Sequence, residues 1–363
     1  MIKILAPINN PSETERLIKA GADELYCGVF HENWTKIIGA VPNAKVSKWA
    51  SLKSFKELRE ITGIAGKYNV PVYLCLNAHY TTRPVFELAK KDYKEAVQNN
   101  VSGFIAAHLP LIKEIKKEYE NIPVILSTMG NCFNSDTAAF YRKYGISRVV
   151  FPRYMTIEEL GTVCSEIKRK DINIELEAFI LNFVCRNING LCLMHGPFAQ
   201  FYMGQDRSIL KKALKNIFSI FPKSYKYIFP IINKFIIKQK AKYPCMQRFE
   251  AGFYSETGEE EICPSYFLGN KYFNICAACA LACYEEMGIN HVKIVGRGYH
   301  LNRKLKDISF IKELRDDLIS GRYDNNEFMH RGQESFYRNY GYRCRAAECH
   351  YPELIRRKNS NKK

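Results

Sequence analysis

The thirteen cysteines of this 363-residue chain call for a chemical explanation before any other feature does. Cys27, Cys75 and Cys164 fall inside apolar strand or helix patterns and read as small buried apolar residues. Apart from Cys132, the others crowd between Cys185 and Cys349. Cys185 and Cys192 flank a loop with Asn187, Asn189 and Gly190, turn residues that let two thiolates point at one centre. Cys245 follows in Tyr-Pro-Cys-Met-Gln-Arg-Phe, and Cys276 opens Cys-Ala-Ala-Cys. Soft thiolates with no histidine among them suit an iron–sulfur cluster. A four-thiolate zinc site meets the same spacing, and so do thiols that bind nothing. Cys263 and Cys279 rival Cys276 for the fourth position, and Cys276 with Cys279 is itself a pair of redox or metal type. Cys344 and Cys349, with His350, either make a second small metal site or are exposed thiols of the C-terminal tail.

Strands and helices must position these groups, and up to residue 180 they alternate. Strands are expected at Ile2–Ala6, Glu24–Gly28, Val70–Asn77, Gly103–Ala107, Pro123–Thr128, Arg148–Phe151 and Ile174–Ile180. Helical periodicity falls between them, at Pro11–Ala20, Leu52–Tyr68, Val85–Asn99, Leu109–Tyr119, Asp136–Tyr144 and Thr156–Arg169. Such alternation implies parallel strands with right-handed crossovers. The number of strands favours an α/β fold of the closed (β/α)8 TIM-like type, whose chemistry sits at the C-terminal strand ends. The eighth strand is expected at His291–Val295, with a helix from about Asp307 to Ser320. The domain reading is therefore 1–180 for seven β/α units, 181–290 for a long cysteine-containing insertion between strands seven and eight, 291–323 for the last unit, and 324–363 for a tail. No G-x-G-x-x-G follows the first strand, which speaks against a dinucleotide fold.

Charge supplies a second clue. The net charge of +17 points to a polyanionic partner, the alternative being a lysine-heavy genome whose proteins are basic without one. Residues 206–243 carry nine lysines and Arg207 against the single acid Asp206, in runs that read as basic amphipathic helices. Such helices bind RNA or lie on an anionic membrane surface; packing on the barrel with solvated lysines is the alternative. The Met1 end runs directly into a strand pattern with no basic n-region, and no apolar run reaches membrane-spanning length. The expectation is a cytoplasmic protein, or one peripheral at the inner face of the membrane.

Several segments, in order, resemble the collagenase-like peptidases, peptidase family U32. They are LAPINNPSETERLIKAGADELYCGV at 5–29, VYLCLN at 72–77, ILSTMGNCFN at 125–134, SRVVFPRYMTIEEL at 147–160, IELEAFILNFVCRNINGLC at 174–192 and HVKIVGR at 291–297. The resemblance implies a barrel-like fold and a [4Fe–4S] cluster on Cys185, Cys192, Cys245 and Cys276, the last standing seventeen residues before Lys293. It also implies kinship with proteins of oxygen-independent hydroxylation, acting on tRNA, ribosomal RNA or a quinone precursor, some with a prephenate-like oxygen donor. The sequence departs from the family pattern at three places. Leu181 and Asn182 replace a His-Gly pair, Tyr154 replaces a Glu after Arg153, and Val295 replaces the Glu of Lys-Ile-Glu-Gly-Arg.

Candidate site residues come from strand ends. Arg153, Glu177 and His79 are the candidate catalytic groups, Glu177 as acid or base or else paired with a cation. Asn77, Ser127, Thr128, Lys293 and Arg297 are candidate substrate contacts, the cations suiting an anion through charge-assisted bonds. A hydroxylase is the leading expectation. A peptidase of unknown catalytic type is the alternative, although no H-E-x-x-H or G-x-S-x-G occurs. A non-catalytic, cluster-bearing subunit of a homologous pair is the third, and it suits the replaced polar positions. If the basic block docks RNA, affinity should fall roughly 10³-fold between about 50 and 200 mM salt for about six phosphate contacts. Filter binding of the whole chain measures this, and salt-insensitive or absent binding removes RNA as a partner.

Overall fold

Eight parallel strands close on themselves in the computed structural model, which describes residues 1–30, 50–78, 81–153, 155–182, 251–254, 260–263, 276–344, 349–351 and 353–354. The barrel strands are β1 (Lys3–Pro7), β2 (Glu24–Cys27), β3 (Val72–Leu76), β4 (Gly103–Ala106), β5 (Val124–Leu126), β6 (Arg148–Val150), β7 (Glu175–Leu181) and β10 (His291–Ile294). A separate antiparallel pair, β8 (Ala251–Tyr254) and β9 (Glu260–Cys263), lies between β7 and β10 in the chain. Around the barrel the order is β1-β10-β7-β6-β5-β4-β3-β2. The last strand thus slots between β7 and β1, with His291 opposite Glu177 on one side and Lys3 on the other. The expected (β/α)8 barrel is the fold, with each expected strand found within two residues of its bounds.

Helices cover the outside: α1 (Thr14–Lys19), α2 (Phe55–Gly66), α3 (Arg83–Gln98), α4 (Leu109–Glu118), α5 (Ser135–Arg142), α6 (Ile157–Arg169), α7 (Leu281–Glu286), α8 (Leu301–Ile319) and α9 (Asn325–Tyr340). Their starts are written in the sequence. Thr156 and Glu159 form a reciprocal capping box on α6, and Asn134 caps α5 by accepting from Thr137 N. α6 then buries Ile157, Leu160, Val163, Cys164 and Ile167, an apolar stripe at three- and four-residue spacing. No described helix is long and apolar enough to cross a membrane.

Two segments differ from expectation. α8 begins at Leu301 rather than near Asp307, because Arg303, Lys304 and Asp307 serve as its inward polar face. The stretch read as a tail holds α9, a helix concealed by its polar sequence. Phe336 supplies the anchor, its ring 6.1 Å from Phe310 and 4.7 Å from Tyr340. Arg331 adds an ion pair to Asp317 at 2.7 Å.

The barrel interior is packed by side chains of alternate strand residues, among them Leu5, Tyr26, Tyr73, Cys75, Ile105, Ile125, Val150 and Phe179. Gly103 makes room for the Tyr73 ring, since a Cβ there would lie 2.5 Å from Pro123 O and 3.1 Å from Tyr73. Gly103→Ala should therefore destabilise by about 1–3 kcal/mol through overpacking. The exposed α2 residue Gly63 meets nothing within 4 Å, so Gly63→Ala should stabilise by about 1 kcal/mol. Opposite shifts in thermal midpoint check the pair; a neutral Gly103→Ala refutes the packing argument.

Candidate active site at the barrel mouth

The lower half of the lumen is ionic. Arg148 of β6 binds Glu24 of β2 with two parallel bonds, Nη1–Oε2 at 2.7 Å and Nη2–Oε1 at 2.8 Å. It also donates to Glu175 at 3.1 Å and to Glu177 at 3.1 Å. His291 lies between Glu24 at 3.3 Å and Glu175 at 3.4 Å, and Lys293 reaches Glu177 at 3.2 Å. Burial works to raise the Glu24 carboxyl, but the bonds from His291 and Arg148 outweigh it and hold the group at about 2. The His291 bond is also the main cause of the low Glu175 value, about 2. For His291 burial disfavours the charge, yet Glu175 and Glu24 more than offset it and the imidazole is raised above 6.5.

These positions revise two sequence expectations. Glu177 is not at a strand end: it is the third residue of β7, fully buried and paired with Arg148 and Lys293. Lys293 is committed to Glu177 and lies 4.3 Å from the centre of the Tyr26 ring. Both belong to the packed interior, not to the open rim.

The rim itself is formed by the residues after the strands. Asn77, after β3, donates to Ser127 Oγ at 2.9 Å. Ser127 in turn caps the short 3₁₀ turn Thr128–Gly130 by accepting from Met129 N, which fixes Thr128 beside it. Arg153, after β6, stacks over Phe179 at 4.8 Å, and its buried Nε has no hydrogen-bond partner among the described residues. Arg297, after β10, is buried. Burial pushes the Tyr26 phenol up, and the charge of Arg297, with a smaller contribution from Arg153, works against it. Tyr26 Oη is fixed by donating to Ile294 O at 3.0 Å. Guanidiniums suit anions through charge-assisted bonds.

Other residues contribute in ways the sequence reading did not assign. Asn182, left-handed at φ 64, donates to Asp307 at 2.6 Å and accepts from Arg303 at 3.0 Å. Tyr340 donates to the same Asp307 at 2.6 Å. The position that breaks the family's His-Gly pair is therefore a bracket holding the end of β7 to α8 and α9. His350 is neutral, brought to about 3 by burial and the charge of Arg153. The available signal was polar residues in the inward phase of buried strands, such as Glu24, Arg148 and His291.

Of the four expected cluster ligands, Cys185, Cys192 and Cys245 lie outside the described residues, as do His79 and Tyr154. Cys276 is buried and bridges Leu181 at the end of β7, on the same rim as Arg153. Ala278 N donates to its Sγ at 3.4 Å, the kind of bond that supports a ligating thiolate. Cys276 thus fits a cluster by donor type and surroundings. Cys27, Cys75, Cys132 and Cys164 are buried, the apolar role expected for the three named among them. Cys344 and Cys349 are half-buried rather than exposed.

The fold and mouth define a (β/α)8-barrel protein with a cationic C-terminal rim. The chain belongs to peptidase family U32, whose sequence profile matches residues 9–208. It is 28% identical over 200 residues to an uncharacterized protease of Methanocaldococcus jannaschii, covering 53% of this chain and 44% of that one. It is 27% identical over 195 residues to the tRNA hydroxylation protein P of Helicobacter pylori, covering 53% and 42%. A collagenase of Porphyromonas gingivalis is 24% identical over 256 residues, covering 64% and 57%. The chain thus spans less than half of the first two relatives. A solved U32 peptidase superposes with TM-score 0.41 at 12% identity, covering 82% of this chain and 93% of that one.

The ionic layer predicts a pH profile. Glu24 and Glu175 hold folded values of about 2 against 4.5, so their stabilisation is present above pH 4.5 and lost as pH falls toward 2. His291 has a raised value, so its contribution is full below pH 6.5 and lost as pH rises through its folded value. Thermal midpoints of Glu24→Gln should lose part of the acid slope below pH 4.5; a slope equal to the parent's refutes the assignment. Arg148→Met, which strands buried carboxylates, should destabilise by about 3–5 kcal/mol.

Proposed function

We propose that this chain is an iron–sulfur modification enzyme that hydroxylates RNA without O2, with a [4Fe–4S] cluster on Cys185, Cys192, Cys245 and Cys276. The observation that carries the reading is the placement of Arg153, stacked on Phe179 after β6, and of buried Arg297 after β10, on the rim where Cys276 joins β7. The relatives named as tRNA hydroxylation proteins support the reaction class, and the +17 charge with its lysine-rich block supports a polyanionic substrate. When bound, the cluster supplies electron transfer or a Lewis-acidic iron.

The chain's own residues do the rest. Arg153 and Arg297 hold a carboxylate of a small oxygen donor of prephenate type, the buried Arg153 Nε offering a spare donor. Asn77, after β3, and Ser127, after the β5 strand that adjoins β6, orient the bound molecule through their hydrogen-bonded pair. Tyr26 and Phe179 floor the mouth and keep water from the ionic layer below. Residues 206–243 bring the RNA, or hold the chain at an anionic membrane when the substrate is a quinone precursor.

A second reading, a cluster-bearing subunit without catalysis, draws on Asn182, whose amide is spent on Asp307 and Arg303. Mass comparison of RNA nucleosides and quinones from a deletion strain separates the two. A hydroxylated nucleoside should vanish and return with the wild-type gene, but not with Arg153→Met or Cys192→Ser. Identical nucleoside profiles in parent and deletion strains refute RNA hydroxylation. Protein purified under argon should be brown and lose its colour in Cys185→Ser; a colourless parent refutes the cluster.

A further inference from the structure

Four thiols from two distant stretches of sequence line one small cavity beside the barrel. Cys276 and Cys279 lead into α7, whereas Cys344 and Cys349 follow α9. Their spacings, Cys-x2-Cys and Cys-x4-Cys, are those with which paired thiolates grip a tetrahedral ion. The backbone already joins the two stretches. Cys276 bridges Cys349 in parallel, and His350 N donates to Cys276 O at 2.9 Å. Gly332 of α9 gives Cys279 its place, since a Cβ there would come within 3.0 Å of the sulfur.

Among the described residues the remaining lining, which includes Met329 and Tyr351, contains no lysine, arginine or carboxylate. Thiolates are therefore the strongest ligands on offer, and they select soft or borderline cations. The room is small as well. Positions open to a water-sized sphere fill about 20 Å³, little more than the roughly 10–15 Å³ that one water requires. A single ion fits this space. No three ligating side chains among the described residues stand in a metal-bonding arrangement. Binding an ion there requires the sulfurs to draw together on a backbone already joined.

We infer that this cavity is a second metal site, a mononuclear thiolate centre for a cation of the zinc class, held by Cys279, Cys344 and Cys349 with Cys276 as fourth donor. The ion pins the C-terminal segment to the end of β7. This goes beyond the cluster reading and competes with it for one residue. When the cluster takes Cys276, the ion keeps three thiolates and an exchangeable fourth ligand. Binding releases the thiol protons, with no change of oxidation state.

Metal analysis of the full chain, purified under argon, tests both sites separately. Cys344→Ser/Cys349→Ser should lose its stoichiometric zinc and keep the brown colour, whereas Cys185→Ser/Cys192→Ser should lose the colour and keep the zinc. Unchanged zinc in the first variant, or no zinc in the parent, overturns the inference. Loss of iron and colour in the first variant also overturns it, by giving these thiols to the cluster instead. Retained colour in the second variant fails the cluster reading alone. Cobalt(II) added to Cys185→Ser/Cys192→Ser gives a readout free of zinc carry-over. Intense thiolate-to-cobalt absorption supports the site, and its absence overturns it.

Discussion

Arg148 is the residue on which the barrel interior turns. From β6 it crosses the lumen to Glu24 on β2 and also meets Glu175 and Glu177 on β7. A guanidinium so enclosed is tolerable only because its carboxylate partners are fixed by other strands, and each carboxylate is tolerable only because Arg148 is there. Strands far apart around the wall are thereby held to one another through the middle. His291 and Lys293 bring the last strand into the same network. The apolar layer above, with Tyr26, Val150 and Phe179, keeps these charges apart from the mouth. Arg153 and Arg297 follow β6 and β10 on the mouth side of that layer.

The fold was legible because each β/α unit repeats the same local grammar. Buried four- to seven-residue strands such as Glu-Leu-Tyr-Cys, and helices capped by Ser54, Asn134 and Thr156, leave little choice of period or boundary. α9 escaped because its buried residues, Phe328, Ser335 and Phe336, are sparse in a polar run, and only packing on α8 makes it a helix. The site was legible as residue types but not as heights in the barrel. Glu177 and Arg153 both read in the sequence as polar residues near strand ends. One is sealed in the ionic layer and the other stacks at the mouth on Phe179. That difference arises from strand stagger, which a linear count does not contain.

Departures from the family pattern acquire a physical meaning in this setting. Asn182 stands where a His-Gly pair is usual, and its side chain is fully engaged by Asp307 and Arg303. Its left-handed backbone suits asparagine better than most side chains. A residue that donates to α8 cannot also present itself to a substrate. The chemistry at this corner of the rim has been given over to holding the chain's direction as it leaves β7.

Because β10 pairs with β7 along the wall, the two ends of the long excursion between them lie side by side. Leu181 even bridges Cys276 directly. Loop closure grows only slowly with length, by about 0.6 kcal/mol per doubling. The barrel is therefore nearly indifferent to how much chain is carried between these strands. What lies there behaves as an interchangeable cassette on a fixed socket, so lineages could exchange lysine-rich segments without redesigning the scaffold beneath.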